Sequence, residues 1–266
     1  MERWRGRVAV VTGASAGIGA AIAYQFQDAG LTVVALARRK EKIPEAVNAA
    51  RTAAEKRNRS QIGKAPSPGK LHCLKCDVTK EEDVIATFKW IRENTKGVDI
   101  LVNNAGVAGK TKLSGPESNT EQWRSILNIN VLGLSLCTRE AVQVMRERGV
   151  DDGHIVHICS MAGHHAPPPE ALGWGMYYAS KHAVRVLTEG LRKELVAAKS
   201  RIRVTEVSPG LVHTSIFDPL DINQKLLWNS PHLNPEDVAD SVLYAIASPA
   251  HVQIHEIIMG STTKQL

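Results

Sequence analysis

The sequence predicts an α/β protein: a single domain built on a doubly wound parallel sheet of about seven strands, with helices on both faces. Three observations lead there. Short apolar runs alternate with longer amphipathic stretches along the chain, which is how successive strand–helix–strand units read. The runs are apolar at nearly every position, as strands covered on both faces require. The 266 residues, 43% of them hydrophobic, suffice for one substantial core, and no stretch reads as a linker between two domains.

The expected strands are Val8–Val11, Thr32–Ala37, Leu71–Cys76, Ile100–Asn103, His154–Cys159, Arg203–Val207 and Val252–Ile257. The expected helices are Gly17–Ala29, Glu41–Lys56, Glu81–Asn94, Thr120–Arg148, Met176–Lys199 and Pro235–Ala247. Thr79 ahead of Glu81 and Glu82 reads as a cap followed by first-turn acids. Asn234-Pro235-Glu236-Asp237 reads as cap, proline at the first helical position, then acids. Residues 58–69, polar with two prolines, read as a flexible excursion. A second loop, at about 213–233, carries Pro219, Pro231 and several large apolar residues.

Charge is uneven. The net charge is +6, and between Arg38 and Lys70 ten Lys/Arg face three Asp/Glu. A basic segment suits nucleic acid, a solvated helix face, or a site for one phosphate. No aromatic residues interleave with these charges, so no nucleic-acid partner is expected. No apolar run reaches eighteen residues, so no membrane span is expected. Cys73 and Cys76 stand in a C-x-x-C without a second pair, and all four cysteines read as free core thiols. Without a signal-like N-terminus, a reducing, cytoplasmic setting is expected, and the Asn58-Arg59-Ser60 glycosylation pattern reads as idle.

Two constellations carry chemistry. Thr12-Gly13-Ala14-Ser15-Ala16-Gly17-Ile18-Gly19 follows a strand and opens a helix. Glycines there let the backbone turn tightly and approach a pyrophosphate, while helix N–H groups point at the anion. Downstream, Tyr177 and Lys181 stand four apart on a helix, sharing a face, with Ser160 at the end of a strand. A free phenol titrates near pH 10. A neighbouring ammonium and a cationic nicotinamide ring both favour its anion, which suits general acid–base work. Tyr178 is the competing tyrosine, but its fourth neighbour is His182. The two constellations together predict a nicotinamide-dependent oxidoreductase. At the end of the second strand Ala37 precedes Arg38 and Arg39. A guanidinium pairs well with a phosphate, so NADP(H) is favoured over NAD. His164 and His165 have no ligand cluster in sequence, so no metal is expected, and both read as loop residues near the substrate mouth.

The spacing T-G-x-x-x-G-x-G, the Asn103-Asn104-Ala105-Gly106 strand end, the Y-x-x-x-K with its upstream serine, and Pro209-Gly210-Leu211-Val212-His213-Thr214 together resemble the short-chain dehydrogenase/reductase family. The resemblance runs from Arg7 to about Ile258. It implies a Rossmann-type fold, catalytic Ser160, Tyr177 and Lys181, and an active-site Asn130 on a kinked helix, water-linked to Lys181, in preference to Asn128. It implies cofactor contacts from Gly13, Ser15, Gly17, Ile18, Gly19, Asp77, Val78, Asn104, Tyr177, Lys181, Val212 and Thr214, beside those of Arg38 and Arg39. Asp77 also suits capping of the next helix. The chain departs from many NADP members at Ala16, where a basic residue is common. Glu2-Arg3-Trp4, Asp151 to Ile155, Leu187 to Arg192 and Pro249 to Ile254 are similar to the insect farnesol dehydrogenases and a related vertebrate carbonyl and 17-beta-hydroxysteroid reductase subgroup. That implies a small apolar alcohol or carbonyl as substrate, and a homodimer or homotetramer packed through Thr120–Arg148 and Met176–Lys199. The stretch from Ser160 to Tyr177 is longer than in typical members, adding Pro167–Pro169, Leu172 and Trp174. Ile216, Phe217, Leu220, Leu226, Leu227 and Trp228 either line an apolar pocket or cover the core. The alternative is a nucleotide-binding sensor without turnover, which usually lacks one of the tyrosine, lysine and serine present here.

Overall fold

The computed structural model describes residues 1–57, 65–114, 119–168, 171–220 and 222–262, Leu226 by its backbone alone. Seven strands form one parallel sheet: β1 (Val8–Thr12), β2 (Thr32–Ala37), β3 (Leu71–Lys75), β4 (Ile100–Asn103), β5 (His154–Ile158), β6 (Arg203–Pro209) and β7 (Glu256–Met259). Their order is β3-β2-β1-β4-β5-β6-β7. The direction of winding reverses between β1 and β4, which opens a crevice at the carboxyl ends of those strands.

The helices are α1 (Gly17–Asp28), α2 (Ile43–Lys56), α3 (Glu81–Asn94), α4 (Thr120–Leu127), α5 (Leu134–Glu147), α6 (Gly175–Ala197), α7 (Gln224–Trp228) and α8 (Pro235–Ala247). Alternate strand residues sort onto two faces. Ala9, Val11, Val33, Ala35 and Val102 pack with Ile22 and Phe26 of α1 and with Val238, Val242 and Ile246 of α8. Val8, Val10, Val34, Leu36 and Leu101 pack with Val84, Phe88 and Ile91 of α3, Val144 and Met145 of α5, and Leu195 of α6. Both faces are dry, which explains the unbroken apolar strands.

Several sequence expectations need correction. Thr79 does not cap α3: its hydroxyl donates to Asp77 Oδ1 at 2.8 Å, and Lys80 holds the cap position without a side-chain bond. Asp77 accepts from the Thr79 N–H at 3.1 Å, closing its own turn rather than the helix end. The expected last strand begins late, at Glu256, because the Val252 and Ile254 carbonyls accept from Arg203 and Thr205 side chains. The long expected helix is interrupted by a π segment, Asn128–Gly133, between α4 and α5. Residues 213–233 include α7 rather than loop alone. The 58–69 excursion and the Asn58 acceptor lie partly or wholly outside the described residues. Ala65 and Gly69 are fixed, their N–H groups donating to Asp28 and Gln27 carbonyls at 2.9 and 2.7 Å. Asn234 and Asp237 do form a reciprocal capping box at α8.

Candidate active site

A cleft of about 500 Å³ opens at the carboxyl edge of the sheet. Its walls include Gly13, Ser15, Gly17, Ile18, Arg38, Arg39, Asp77, Val78, Asn104, Ser160, Tyr177, Lys181, Val212 and Thr214. Two of the expected site residues, Gly19 and Asn130, stand behind the wall. A Cβ on Gly19 would lie 2.4 Å from Asn104 Nδ2 and 2.5 Å from the Gly13 carbonyl, so its small size lets α1 close on the turn.

At one end, β1 turns into α1 through Gly13 and Gly17, both at positive φ. Thr12 fastens this turn to β4. Its Oγ1 accepts from the Asn104 and Ala105 N–H groups, each at 2.9 Å, and Asn104 Nδ2 donates to the Thr12 and Gly13 carbonyls. The α1 N-terminus has Ala16 at the cap, no side-chain cap and no first-turn acid. Its N–H groups are therefore left for an anion. The closing wall is Thr214, whose Cγ2 would sit 2.9 Å from a Cβ on Gly17. Arg38 and Arg39 lie exposed just past β2, and Ala37 beside them is buried.

At the other end, Ser160 follows β5 and caps a short 3-10 turn, accepting from the Ala162 N–H at 3.1 Å. Its hydroxyl faces the Pro209 carbonyl at 3.4 Å. Lys181 is 7% exposed, with Nζ donating to the Ile158 carbonyl at 3.1 Å and standing 5.8 Å from the Tyr177 ring centroid. Asn130 is buried on the π segment and Asn128 is exposed. The Asn130 amide exchanges hydrogen bonds with the Val107 backbone at 2.9 and 3.0 Å and donates to Ser180 Oγ at 3.0 Å. A Cβ on Gly106 would lie 3.5 Å from Asn130 Oδ1 and 4.0 Å from Lys181 Nζ, ordinary contact distances that place this residue between the two groups. π segments recur at functional sites, and this one turns Asn130 inward.

The model of the short chain dehydrogenase family matches residues 7–225. The chain belongs to the short-chain dehydrogenase/reductase family. It is 46% identical to the Bos taurus dehydrogenase/reductase SDR family member 11, over 98% of each chain. It is 45% identical to the farnesol dehydrogenase of Aedes aegypti, over 97% of this chain and 96% of that one. Among solved structures, a serine dehydrogenase complexed with NADP+ superposes with a TM-score of 0.80 at 29% identity, covering 97% of this chain and 96% of the other.

Within this short-chain dehydrogenase/reductase scaffold the apolar residues expected near a substrate divide. Ile216, Phe217, Pro219 and Leu220 line the cleft, opposite Gln122, Ser125, Ile126 and Ile129. The α4 and π-segment residues went unnoticed in sequence because they look like an ordinary amphipathic helix. Trp174 does not line the cleft but packs edge-on against Tyr177 at 5.8 Å and reaches Phe217 at 6.2 Å. Trp228 extends this row of rings, 5.8 Å from Phe217 and 4.3 Å from His213. Leu172 is exposed, and Pro169 lies outside the described residues. Ser180, also missed, accepts from Asn130 and donates to the Tyr177 carbonyl. Tyr178 lies outside the cleft wall, and burial raises its pKa.

His164 overturns its sequence reading. It is not at the substrate mouth: its ring is buried behind Ser160, 2.8 Å from Glu256 and 3.2 Å from Ser208 Oγ. Beside it, burial and the charge of Glu256 raise the Glu206 carboxyl above its ordinary range. Burial also pushes the Cys159 thiol up to about 12. The four cysteines are free. No helix among the described residues is long and apolar enough to cross a membrane.

Proposed function

We propose that this chain is an NADP(H)-dependent oxidoreductase that interconverts an apolar alcohol and its carbonyl. One observation carries the reading: a single cleft has an uncapped helix N-terminus and two arginines at one end, and Ser160, Tyr177 and Lys181 at the other. The cofactor end fits a dinucleotide phosphate. Glycines at positive φ leave room for the pyrophosphate, α1 offers free N–H donors, and Arg38 and Arg39 offer guanidinium forks for the 2′-phosphate. Asp77 and Val78 flank the adenine side; Val212 faces the nicotinamide carboxamide, and Thr214, against Gly17, the cofactor phosphate. The NADP+ in the serine dehydrogenase structure supports the same choice of cofactor.

The bound cofactor supplies or accepts the hydride. Tyr177 handles the proton: its phenolate takes it from the alcohol in oxidation, and its phenol returns it in reduction. Lys181, with Nζ 5.8 Å from the Tyr177 ring centroid, stands beside the phenol and reaches toward the cofactor ribose. Ser160 turns its hydroxyl from the Pro209 carbonyl to the substrate oxygen. Asn130, held by the Val107 backbone and Ser180, supports the proton path through a water to Lys181. Phe217, Ile216 and Leu220 exclude water around an apolar substrate, as the likeness to a farnesol dehydrogenase also suggests. Exposed Val186, Leu187 and Val196 on α6 support a homodimer or homotetramer packed through α4–α5 and α6. The free thiols support a reducing, cytoplasmic setting.

The test is a paired assay with NADPH and NADH against farnesol, a hydroxysteroid and a simple diketone, each run in both directions by following the reduced nicotinamide. Turnover with NADPH well above NADH on an apolar substrate is expected. Tight cofactor binding with no turnover on any substrate would favour the sensor reading.

A further inference from the structure

Behind Ser160, on the side away from the cleft, three metal-ligating side chains from three elements meet. His164 comes from the turn after β5, Glu206 from β6 and Glu256 from β7. Their ligand atoms lie within 4.8 Å of one another. The side chains of His164 and Glu206 are 9% and 2% exposed, and that of Glu256 is 28% exposed.

Hydrogen bonding inside the cluster is incomplete in one place. Ser208 spends its hydroxyl proton on Glu206 Oε1 at 2.9 Å. It can therefore only accept from His164 Nε2, at 3.2 Å. Glu256 Oε1 lies 2.8 Å from the same nitrogen, yet outside hydrogen-bond geometry and sealed from solvent. A buried oxygen in that state is costly. The neighbouring cation does not relieve it: Arg192 directs its guanidinium to the Val204 and His255 carbonyls. Two carboxylates thus flank one imidazole nitrogen, one of them buried and the other partly exposed.

We infer that His164, Glu206 and Glu256, with Ser208 Oγ alongside, form a site for one divalent first-row cation, of which Zn2+ suits the donors best. One imidazole and two carboxylates are ordinary zinc ligands at about 2.1 Å, which puts tetrahedral neighbours about 3.4 Å apart. The His164 nitrogen stands 2.8 Å from Glu256 and 3.7 Å from Glu206, so shifts of a few tenths of an ångström create the site. With an ion there, the neutral His164 ring carries its proton on Nδ1 instead, leaving the Nε2 lone pair for the metal, and Glu256 Oε1 gains a partner. An entry path exists, because Glu206 and Glu256 also line a surface depression bordered by Glu189, Arg192 and His255. The ion would pin the turn that follows Ser160 to β6 and β7. This site is independent of the cleft and of the reaction assigned to it.

Metal-stripped full-length protein is titrated with Zn2+ by calorimetry and with Co2+ by visible absorption. One ion per chain is expected, with the d–d bands of a low-coordinate N/O site. Glu256→Gln, which keeps the side-chain shape, and His164→Gln are each expected to weaken binding at least about tenfold. Retained circular dichroism and NADPH binding identify folded variants. Anomalous scattering at the zinc edge from soaked crystals of the unaltered protein provides a measurement that needs no variant. A peak at His164 Nε2 supports the site. Lack of saturable binding, binding unchanged by both substitutions, or a peak elsewhere, as at Cys73 and Cys76, overturns it.

Discussion

The two ends of the cleft are built by different means. At the cofactor end the backbone does the shaping. Gly13 and Gly17 take positive φ, Gly19 lets helix meet turn, and the Thr12 and Asn104 side chains tie the turn to β4 by hydrogen bonds to backbone groups. At the substrate end, rings do the shaping. Tyr177, Trp174, Phe217 and Trp228 touch in a row, and beyond His213, whose N–H donates to the Leu233 carbonyl, the backbone bonds of 214–220 stay within a few residues. Backbone-shaped sites admit few residues at each position. Ring-shaped sites admit many of similar volume. The first end is therefore suited to one invariant ligand, the second to adjustment.

The largest effect that sharpens this contrast is at the junction of the two ends. Tyr177→Phe is expected to lower kcat about 10³-fold while leaving NADPH affinity unchanged, read by stopped assays and cofactor fluorescence. Retained turnover would remove Tyr177 from the proton path. The paired change Arg38→Ala with Arg39→Ala tests the cofactor end alone. Loss of charge-assisted phosphate bonds should weaken NADPH about 30-fold, roughly 2 kcal/mol, with NADH unaffected. Equal losses for both cofactors would move the phosphate contact elsewhere.

Acid probes the sheet beneath both ends. His157 on β5 is wholly buried, and burial lowers its pKa to about 3. Thr188 donates its own proton to the Val184 carbonyl, so it accepts from His157 Nδ1 at 2.8 Å, which fits a neutral ring. The unfolded chain protonates this histidine near 6.5. The folded state is thus at full advantage above pH 6.5 and loses about 1.4 kcal/mol per unit as pH falls toward 3. His154, also lowered by burial, acts in the same direction. Unfolding free energies from urea titrations at pH 7 and pH 5 should differ by about 2 kcal/mol or more; equal values would show that the folded ring takes up its proton as readily as the unfolded one. The smallest expected effect is at the substrate end. Trp174→Ala should cost about 1 kcal/mol of ring contact, raising KM for an apolar substrate several-fold and leaving KM for NADPH alone, with Trp174→Phe retaining most of the function. A change confined to NADPH would break the division of labour.

The same contrast explains what the sequence disclosed. β2, β4, α3 and α8 match their expected bounds because apolar runs, first-turn acids and the Asn234 capping box are local signals. The glycine turn and the Y-x-x-x-K were legible because backbone approach and helical spacing each demand fixed residues at fixed intervals. The π segment was not legible: Asn128–Gly133 reads as part of a regular helix, and its offset arises from tertiary contacts, including Asn130 with Val107. The late start of β7 was equally hidden, since distant side chains take its expected carbonyls. His164 was misplaced because its partners, on β6 and β7, lie more than forty residues away in sequence.

The wider helical turn at residues 128–133 also sets a rule about chain length. A π turn closes i→i+5 hydrogen bonds and takes about one residue more than an α turn, so the extra residue is absorbed within 128–133 and α5 keeps its phase relative to α4. Thr138, which accepts from Asn103 at 2.8 Å, and Met145 and Val144 in the core stay seated, and the added residue instead turns Asn130 inward. The exposed side chains of this stretch are free to vary, but the number of its residues is not.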